Sequence, residues 1–217
     1  MSRVFAASRA ALRQVAHRLV AQVAELPVPL AFVRWGLLLD DRRENRRDSW
    51  GRLRGAGEQA RYEAVRSLTE TYAADGFVLD IGCSQGILQE GLAYRRYLGV
   101  DRSAQAIQRA SSKNDARTQF VVADGAGFAP DERPDAIVLN EMLYYLPDPV
   151  RAVQHYADQL SEGGVLIVSV YAHAWATRRL LRQLHARLRL VRSLPVRSGE
   201  LCWIVAVFRP SGSPRTG

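Results

Sequence analysis

The stretch VLDIGCSQG at residues 78–86 constrains the fold more than any other part of the sequence. Val78, Leu79 and Ile81 have the apolar character of a buried strand, but Asp80 lies among them and two glycines bracket the loop that follows. Glycine lets the backbone approach a ligand or another element closely. A strand that carries a carboxylate and ends in such a loop predicts either a ligand site or a tight connection to the next helix.

Apolar strand patterns and helix patterns alternate along the chain from residue 58 onwards. Strands are predicted at 77–81, 94–101, 118–124, 135–140, 164–171 and 201–210. Helices are predicted at 58–74, 86–94, 103–112, 148–160 and 174–190. Alternation of this kind is typical of a parallel sheet with helices on both faces. The expected fold class is therefore α/β, doubly wound, with a mostly parallel sheet.

Polar residues end four successive predicted strands, namely Asp80, Asp101, Asp124 and Asn140. In open parallel sheets, ligands bind beyond the carboxyl ends of the strands. Asp101 lies 21 residues after Asp80, the separation expected between a glycine loop and a carboxylate that receives ribose hydroxyls. A nicotinamide dinucleotide site would instead show G-x-G-x-x-G, which holds a pyrophosphate and is missing here. Each carboxylate alone could be a helix N-cap, but four polar ends on one edge favour a binding site.

Taken together, these motifs resemble those of the class I S-adenosylmethionine-dependent methyltransferases. VLDIGCSQG is similar to their first motif, LGVDRS to the acidic end of their second strand, and VVADG to their adenine-contacting turn. LSEGGVLIVS is similar to the helix, turn and strand that follow their catalytic edge. The resemblance covers roughly residues 76–171 and departs from the family at Ser84, where glycine is common. It implies a Rossmann-like methyltransferase fold with a seven-stranded sheet and S-adenosylmethionine as cofactor.

The resemblance also implies a set of cofactor-binding residues. Asp80 would face the methionine amino group, Asp101 the ribose hydroxyls, and Asp124 the adenine amine. Such carboxylates suit a cofactor that has an amino group, a diol and an adenine but no phosphate. The complete implied set is Asp80, Gly82, Cys83, Ser84, Gly86, Asp101, Arg102, Asp124, Gly125 and Asn140.

The segment VLNEMLYYLPDP at 138–149 follows the fourth predicted strand. It resembles the corresponding segment of small-molecule methyltransferases, and more weakly that of the nodulation-type N-methyltransferases, which act on an amino sugar oligosaccharide. Glu141, Tyr144 and Tyr145 are the candidate catalytic residues, because an amine acceptor must lose a proton that one of them could receive or relay. The alternative is that one of the tyrosines belongs to the core. The expected acceptor is an amine or hydroxyl of a small molecule or of a glycan-linked or lipid-linked group.

The cysteines and histidines favour no other chemistry. Cys83 and Cys202 are the only cysteines, which suggests neither a disulfide framework nor a thiolate metal site and fits a cytoplasmic protein. No His, Asp and Glu cluster has the spacing of metal ligands, so no metal is expected. No Gly-x-Ser-x-Gly or Cys-His pattern indicates a covalent nucleophile.

The charge is distributed unevenly along the chain. Residues 1–60 carry 11 arginines against 6 acids, residues 61–173 carry 10 basic side chains against 15 acids, and residues 174–217 carry 9 against 1. An acidic centre disfavours a protein that binds nucleic acid over its whole surface. Two alternatives remain open at this point: an RNA-binding methyltransferase, and a non-catalytic protein that retains the cofactor-binding fold.

The amino-terminal part predicts a helical extension of the domain. Val15, Leu19, Val23 and Leu26 recur at helical spacing among basic residues, and the span 29–40 is too short and too charged to cross a bilayer. An organellar transit peptide and a membrane-surface helix are the alternatives to a helix that packs over the domain. We expect residues 1–57 to form this helix and a charged connector as a lid or cap, 58–210 the methyltransferase domain, and 211–217 a flexible tail.

The carboxyl-terminal arginines form a second basic group. On the predicted helix 174–190, five of them would lie close together and face an anionic acceptor, a phosphate-bearing carrier or a membrane surface, as a peripheral contact. They are Arg178, Arg179, Arg182, Arg187 and Arg189.

Overall fold

The computed structural model describes residues 53–172 and 175–212. This part of the chain contains five parallel strands, two antiparallel strands and four helices, with short 3-10 turns that include Ser111–Lys113 and Leu143–Tyr145. In chain order the elements are α1 (Ala56–Ala73), β1 (Phe77–Ile81), β2 (Arg96–Asp101), α2 (Ala104–Ala110), β3 (Thr118–Val122), β4 (Ala136–Asn140), α3 (Pro149–Gln159), β5 (Val165–Tyr171), α4 (Trp175–His185), β6 (Leu188–Ser198) and β7 (Leu201–Pro210).

The strands form one seven-stranded sheet in the order β3-β2-β1-β4-β5-β7-β6. Strands β1 to β5 pair in parallel, whereas β7 pairs antiparallel with both β5 and β6. The chain winds outwards from β1 to β3 and then returns to β4 on the other side of β1, which makes the β1–β4 boundary the switch point where such sheets open a binding crevice. The predicted fold class, a mostly parallel seven-stranded sheet of the Rossmann-like methyltransferase type, is confirmed.

Two apolar cores cover the two faces of the sheet. Leu79 and Ile81 of β1 pack on the face covered by α3 and α4, whereas Val78 packs with Val65 of α1 on the opposite face. All five side chains of β1 are buried, because neighbouring side chains of a strand point to opposite faces and both faces are covered by helices. A central strand with both faces covered holds its carboxyl end rigidly in place, and the candidate site is built there.

The helix predicted at 86–94 is wrong. The segment forms consecutive turns whose backbone bonds span three residues, such as the N–H of Glu90 to the carbonyl of Ile87 at 3.3 Å. Gly86 and Gly91 have φ angles of +68° and +78°, which no right-handed helix contains. The apolar pattern was informative about burial, because Ile87, Leu88 and Leu92 are buried, but not about the backbone.

The helix predicted at 174–190 is also wrong in its last five residues. Helix α4 ends at His185, and Leu188–Ser198 form β6, which the sequence patterns did not predict. Strand β6 lies at the sheet edge, where Pro195 is tolerated because an edge strand leaves some N–H groups unpaired. The expected arginine cluster is therefore divided, with Arg187 beyond the helix and Arg189 on the strand.

Residues 1–52 of the predicted amino-terminal helix and charged connector (1–57), and residues 213–217 of the predicted tail (211–217), lie outside the described part of the chain. Within the described part, no helix is long and apolar enough to cross a membrane. The same residues contain no group of three or more His, Cys, Asp and Glu side chains that could hold a metal ion.

Candidate functional site

Asp80 is a buried carboxylate at the carboxyl end of the central strand, with 2 % of its surface exposed. Its Oδ2 accepts a hydrogen bond of 2.5 Å from the hydroxyl of Tyr97 on β2. Its Oδ1 is buried and receives no donor from the described residues. Burial raises the pKa of Asp80 to about 7, although the Tyr97 hydroxyl works in the opposite direction. A buried carboxylate with one oxygen to spare has the chemistry needed to receive an amino group.

The glycine loop turns sharply after β1. Gly82, Ser84 and Gly86 all have positive φ angles, of 77°, 49° and 68°. The backbone N–H groups of Gly82 and Cys83 both donate to the carbonyl of Val100 on β2, at 2.7 and 3.1 Å. Serine at position 84, where the family commonly has glycine, therefore adopts the left-handed conformation that suits glycine.

Asp101 connects the glycine loop to the turn that follows β2. Its Oδ2 accepts from the N–H of Ser84 at 2.9 Å, and its Oδ1 accepts from the N–H of Ser103 at 2.8 Å. Ser103 in turn caps α2 by accepting from the N–H of Ala106. Arg102, which lies between these groups, is exposed, and Cys83 is buried beside them. Burial raises the pKa of the Cys83 thiol well above its ordinary value, so it is an uncharged filler in the loop.

The third strand contributes a less enclosed group. Asp124 is exposed, and its Oδ1 accepts from the N–H of Ala126 at 2.9 Å in the turn after β3. Gly125 is buried, and its carbonyl accepts from the hydroxyl of Tyr156 on α3 at 2.7 Å. A Cβ at Gly125 would come within 2.7 Å of the Ile81 side chain. This turn therefore lies against β1, on the edge that carries Asp80.

Asn140 and Glu141 lie at the end of β4, next to β5. Asn140 Oδ1 accepts from the Ser169 hydroxyl at 2.6 Å and from the guanidinium of Arg61. The N–H of Glu141 donates to the hydroxyl and carbonyl of Ser169 at 3.1 and 3.2 Å. Glu141 has a φ angle of +57°, which is rare for a residue with a side chain and is frequent at functional sites.

The Glu141 carboxyl lies among side chains from three elements. Its Oε1 accepts from the hydroxyl of Tyr144 at 3.4 Å, and that hydroxyl itself accepts from the N–H of Tyr171 at the end of β5. Burial raises the pKa of Glu141 to about 7, and the nearby Arg61 partly opposes this rise. Tyr145 is half-buried and packs against the core on the α3 and α4 face. The structure thus brings Glu141 and Tyr144 together, whereas Tyr145 packs beside them.

Sequence reasoning missed three residues of this edge, Arg61, Ser169 and Lys113. Arg61 on α1 is only 2 % exposed, and it donates to Asn140 and forms an ion pair of 2.7 Å with Glu58. Arg61 lies one turn before the buried Val65 on the same face of α1. An arginine among the apolar residues of this face was the sequence signal that could have identified it. Ser169 gave a similar signal as a polar residue within the apolar strand β5.

The described residues fit the cofactor that the resemblance implies. The spare, buried Oδ1 of Asp80 suits the amino group of a methionine tail, and the close turn at Gly82 leaves no room for a side chain because Met142 lies 2.5 Å from a Cβ there. Asp101 and Asp124 lie on the same edge with carboxylates that can accept from hydroxyl and amine groups. The individual contacts remain predictions.

Comparison with known proteins supports this fit. A family model described as a methyltransferase domain matches residues 56–206. The trans-aconitate 2-methyltransferase of Methylobacterium radiotolerans is 31 % identical over 149 residues, which cover 66 % of this chain and 52 % of that protein. The nodulation protein S of Bradyrhizobium diazoefficiens is 27 % identical over 184 residues, which cover 76 % of this chain and 88 % of that protein. The chain thus spans about half the length of the trans-aconitate relative.

Among solved structures, the N-methyltransferase NodS from Bradyrhizobium japonicum WM9 in complex with S-adenosyl-L-homocysteine superposes with a TM-score of 0.66. The sequences are 26 % identical, and the superposition covers 75 % of this chain and 91 % of NodS. The predicted resemblance and the predicted cofactor are confirmed by these matches. Because the family model covers more than half of its length, the chain belongs to the family of S-adenosylmethionine-dependent methyltransferases.

Proposed function

We propose that this protein transfers a methyl group from S-adenosylmethionine to an amine or hydroxyl of a small-molecule acceptor, which includes glycan-linked and lipid-linked groups. The observation that carries this proposal is the Glu141 carboxyl, whose pKa is raised to about 7 and which accepts from Tyr144 beside the ends of β4 and β5. A base with a pKa near neutrality suits an acceptor that must lose a proton.

The cofactor would be held by the strand ends. Asp80 would receive the amino group of the methionine tail, and Asp101 would receive the ribose hydroxyls. The buried guanidinium of Arg61 would attract the carboxylate of the methionine tail. Gly125 would lie close to the adenine, with Asp124 as acceptor for its amine. When bound, S-adenosylmethionine supplies a methyl group on a sulfonium, whose leaving group needs no protonation.

The chain's own contribution to catalysis is orientation and proton removal. An acceptor held against Glu141 and Tyr144 would be fixed near the reacting atoms, and such positioning accounts for a large part of the acceleration in two-substrate reactions. Glu141 in its ionised form would receive the proton from an amine or hydroxyl. A carboxylate acceptor has no proton to give and would be repelled by the ionised Glu141, so an amine or hydroxyl is the better match to this site.

Cofactor binding through the strand ends is tested at Asp101. Asp101→Ala is expected to weaken binding of S-adenosyl-L-homocysteine by roughly 1.5–3 kcal/mol, because hydrogen bonds to a charged group are lost. Isothermal calorimetry on both proteins gives the difference directly. Asp101 also accepts from the N–H groups of Ser84 and Ser103, and Asp101→Asn removes the charge but keeps one acceptor oxygen, so its affinity should lie between those of the wild type and Asp101→Ala.

The exposed Glu162 offers a matched control for this experiment. Glu162 lies in the turn before β5, at the opposite edge of the sheet from the carboxyl ends of the parallel strands. Glu162→Ala should therefore bind S-adenosyl-L-homocysteine with wild-type affinity. Equal affinity of the wild type and Asp101→Ala would refute the ribose assignment.

The acceptor side is tested at Glu141 and the tyrosines. Glu141→Gln is expected to lower turnover by roughly a hundredfold, in the range typical of a lost general base, and to change cofactor affinity much less. Tyr145→Phe is expected to lower turnover in the same sense. To find the acceptor, the wild type is incubated with labelled S-adenosylmethionine and fractionated cell metabolites. Alkali then distinguishes the products, because it releases the label from methyl esters of carboxylates and leaves methylated amines intact.

Tyr72→Phe is a matched control, because this half-buried tyrosine lies on α1 and has no described contact with Glu141. If Glu141→Gln and Tyr145→Phe both keep full activity, the segment after β4 has a structural role and no catalytic one. If the labelled products are alkali-labile esters, the acceptor is a carboxylate and the proposed acceptor class is wrong.

A further inference from the structure

Lys113, the only lysine of the chain, lies at the end of the 3-10 turn that follows α2. Its Nζ donates to the backbone carbonyls of Gln85 and Gly86 at 2.5 and 3.1 Å. The same Nζ forms an ion pair with Glu90 at 2.9 Å, and the side chain is 21 % exposed. A single ammonium group therefore contacts the second half of the glycine loop from a different element of the fold.

The two carbonyls need an outside donor because no helix follows the loop. In a helix that began at Gly86, the carbonyls of Gln85 and Gly86 would accept from N–H groups four residues later. Here the N–H of Glu90 donates to the carbonyl of Ile87 instead, and no described backbone N–H reaches the carbonyls of Gln85 and Gly86. Lys113 satisfies both, which a partly buried carbonyl requires.

Glu90 extends this contact to the start of α1. Its two carboxylate oxygens accept from the guanidinium of Arg54 at 2.6 and 2.9 Å. The guanidinium and ammonium groups lower the pKa of Glu90 to about 2, so it is ionised throughout the physiological range. The lysine clamp, defined as Arg54, Glu90 and Lys113, thus joins the residues just before α1, the turns after the loop, and the 3-10 turn that follows α2.

We propose that Lys113 is a positioning residue for the cofactor, which holds the glycine loop in its ligand-accepting path by binding the carbonyls of Gln85 and Gly86. This inference rests on the proposed function, in which the loop lines the methionine tail. The clamp acts on the loop backbone and touches none of the reacting atoms. It should therefore set cofactor affinity and leave the proton chemistry of Glu141 unchanged.

Lys113→Met tests the inference, because methionine keeps the length and apolar stem of lysine but removes the donors. S-adenosyl-L-homocysteine is expected to bind this variant roughly tenfold more weakly by calorimetry, which corresponds to the loss of charge-assisted hydrogen bonds. In turnover assays KM for the cofactor should rise while kcat changes little. Lys113→Arg, which restores donors and charge, should recover much of the affinity.

Arg95→Met is the matched control, because Arg95 forms an exposed ion pair of 2.6 Å with Glu132 away from the loop. This variant should bind the cofactor product as the wild type does. If Lys113→Met also binds with wild-type affinity, the inference is wrong. If the wild type itself does not bind S-adenosyl-L-homocysteine, the proposed function fails, and the inference fails with it.

Amine acetylation provides a second readout that does not depend on the folding of a variant. Because Lys113 is the only lysine, an acetyl N-hydroxysuccinimide ester forms stable amides only at this side chain and the terminal amine, and mass spectrometry resolves the two. Saturating S-adenosyl-L-homocysteine should slow acetylation of Lys113 relative to the terminal amine, and Glu90→Gln should speed it. If Lys113→Met does not fold, an acetylation rate that the cofactor product leaves unchanged overturns the inference.

Discussion

Raising the pH from about 5 to about 8 is expected to lower the free energy of unfolding of the ligand-free protein by roughly 2–3 kcal/mol through Asp80 alone. The physical reason is that burial raises the pKa of this carboxyl from 3.8 to about 7. Between these two values the folded protein binds a proton that the unfolded chain has lost. Urea denaturation at a series of pH values measures the change.

The sign follows from proton linkage. A group whose pKa is raised in the folded state stabilises that state fully below its unfolded pKa, and the stabilisation is lost as the pH rises through the folded pKa. For Asp80 the loss should therefore begin near pH 4 and be complete a little above pH 7. Glu141, with its pKa raised to about 7 by burial, should add to the same decline. Glu90, with its pKa lowered to about 2, changes stability only at lower pH.

Asp80→Asn separates this carboxyl from the others. The variant removes the titrating group and keeps an oxygen that can accept from Tyr97, so its stability should depend less steeply on pH between about 5 and about 8. Glu162→Gln at an exposed position should keep the wild-type profile. If Asp80→Asn and the wild type have parallel profiles across this range, Asp80 does not carry the raised pKa.

The alternation of strands and helices was sufficient to predict the parallel part of the sheet. Strands such as β1 and β4 are buried on both faces, so they appear in the sequence as short continuous apolar runs between helix patterns. Strand β6 is different because it lies at an edge, and its arginines and Pro195 interrupt any apolar pattern. Its pairing with β7 is a local hairpin closed by Gly199 and Glu200, and Gly199, with a φ of +58°, was the sequence signal for that turn that the strand patterns missed.

The strand-end residues of the site were predictable from the topology of the sheet. Parallel strands place their carboxyl ends on one edge, so polar residues at these ends lie close together regardless of the conformation of the loops. For Arg61 the local pattern offered only a charge in an apolar stripe, and its contact with Asn140 was not predictable because it joins residues 79 positions apart across the packing of α1. The lysine clamp was missed because it replaces hydrogen bonds of a helix that the apolar pattern wrongly predicted.

Gly82→Ala is expected to be strongly damaging to the glycine loop. Gly82 has a φ of +77°, where an alanine costs about 1–2 kcal/mol, and its Cβ would lie 2.5 Å from Met142 Cγ and 3.2 Å from Met142 Cβ. These atoms belong to the stem of the side chain, so they cannot move aside without shifting the backbone near Glu141. The overlap should therefore add about 1–3 kcal/mol of destabilisation.

Gly91→Ala isolates the effect of the overlap. Gly91 has nearly the same φ, +78°, but no atom lies within 4 Å of its Cβ position. The two variants share the backbone cost, so the difference between their unfolding free energies in urea measures the contact with Met142. Binding of S-adenosyl-L-homocysteine should be lost or greatly weakened in Gly82→Ala and retained in Gly91→Ala, because only the first displaces the turn that directly follows Asp80 and binds Asp101 through the N–H of Ser84. Equal stability and equal affinity of the two variants would show that the close approach at Gly82 is not required.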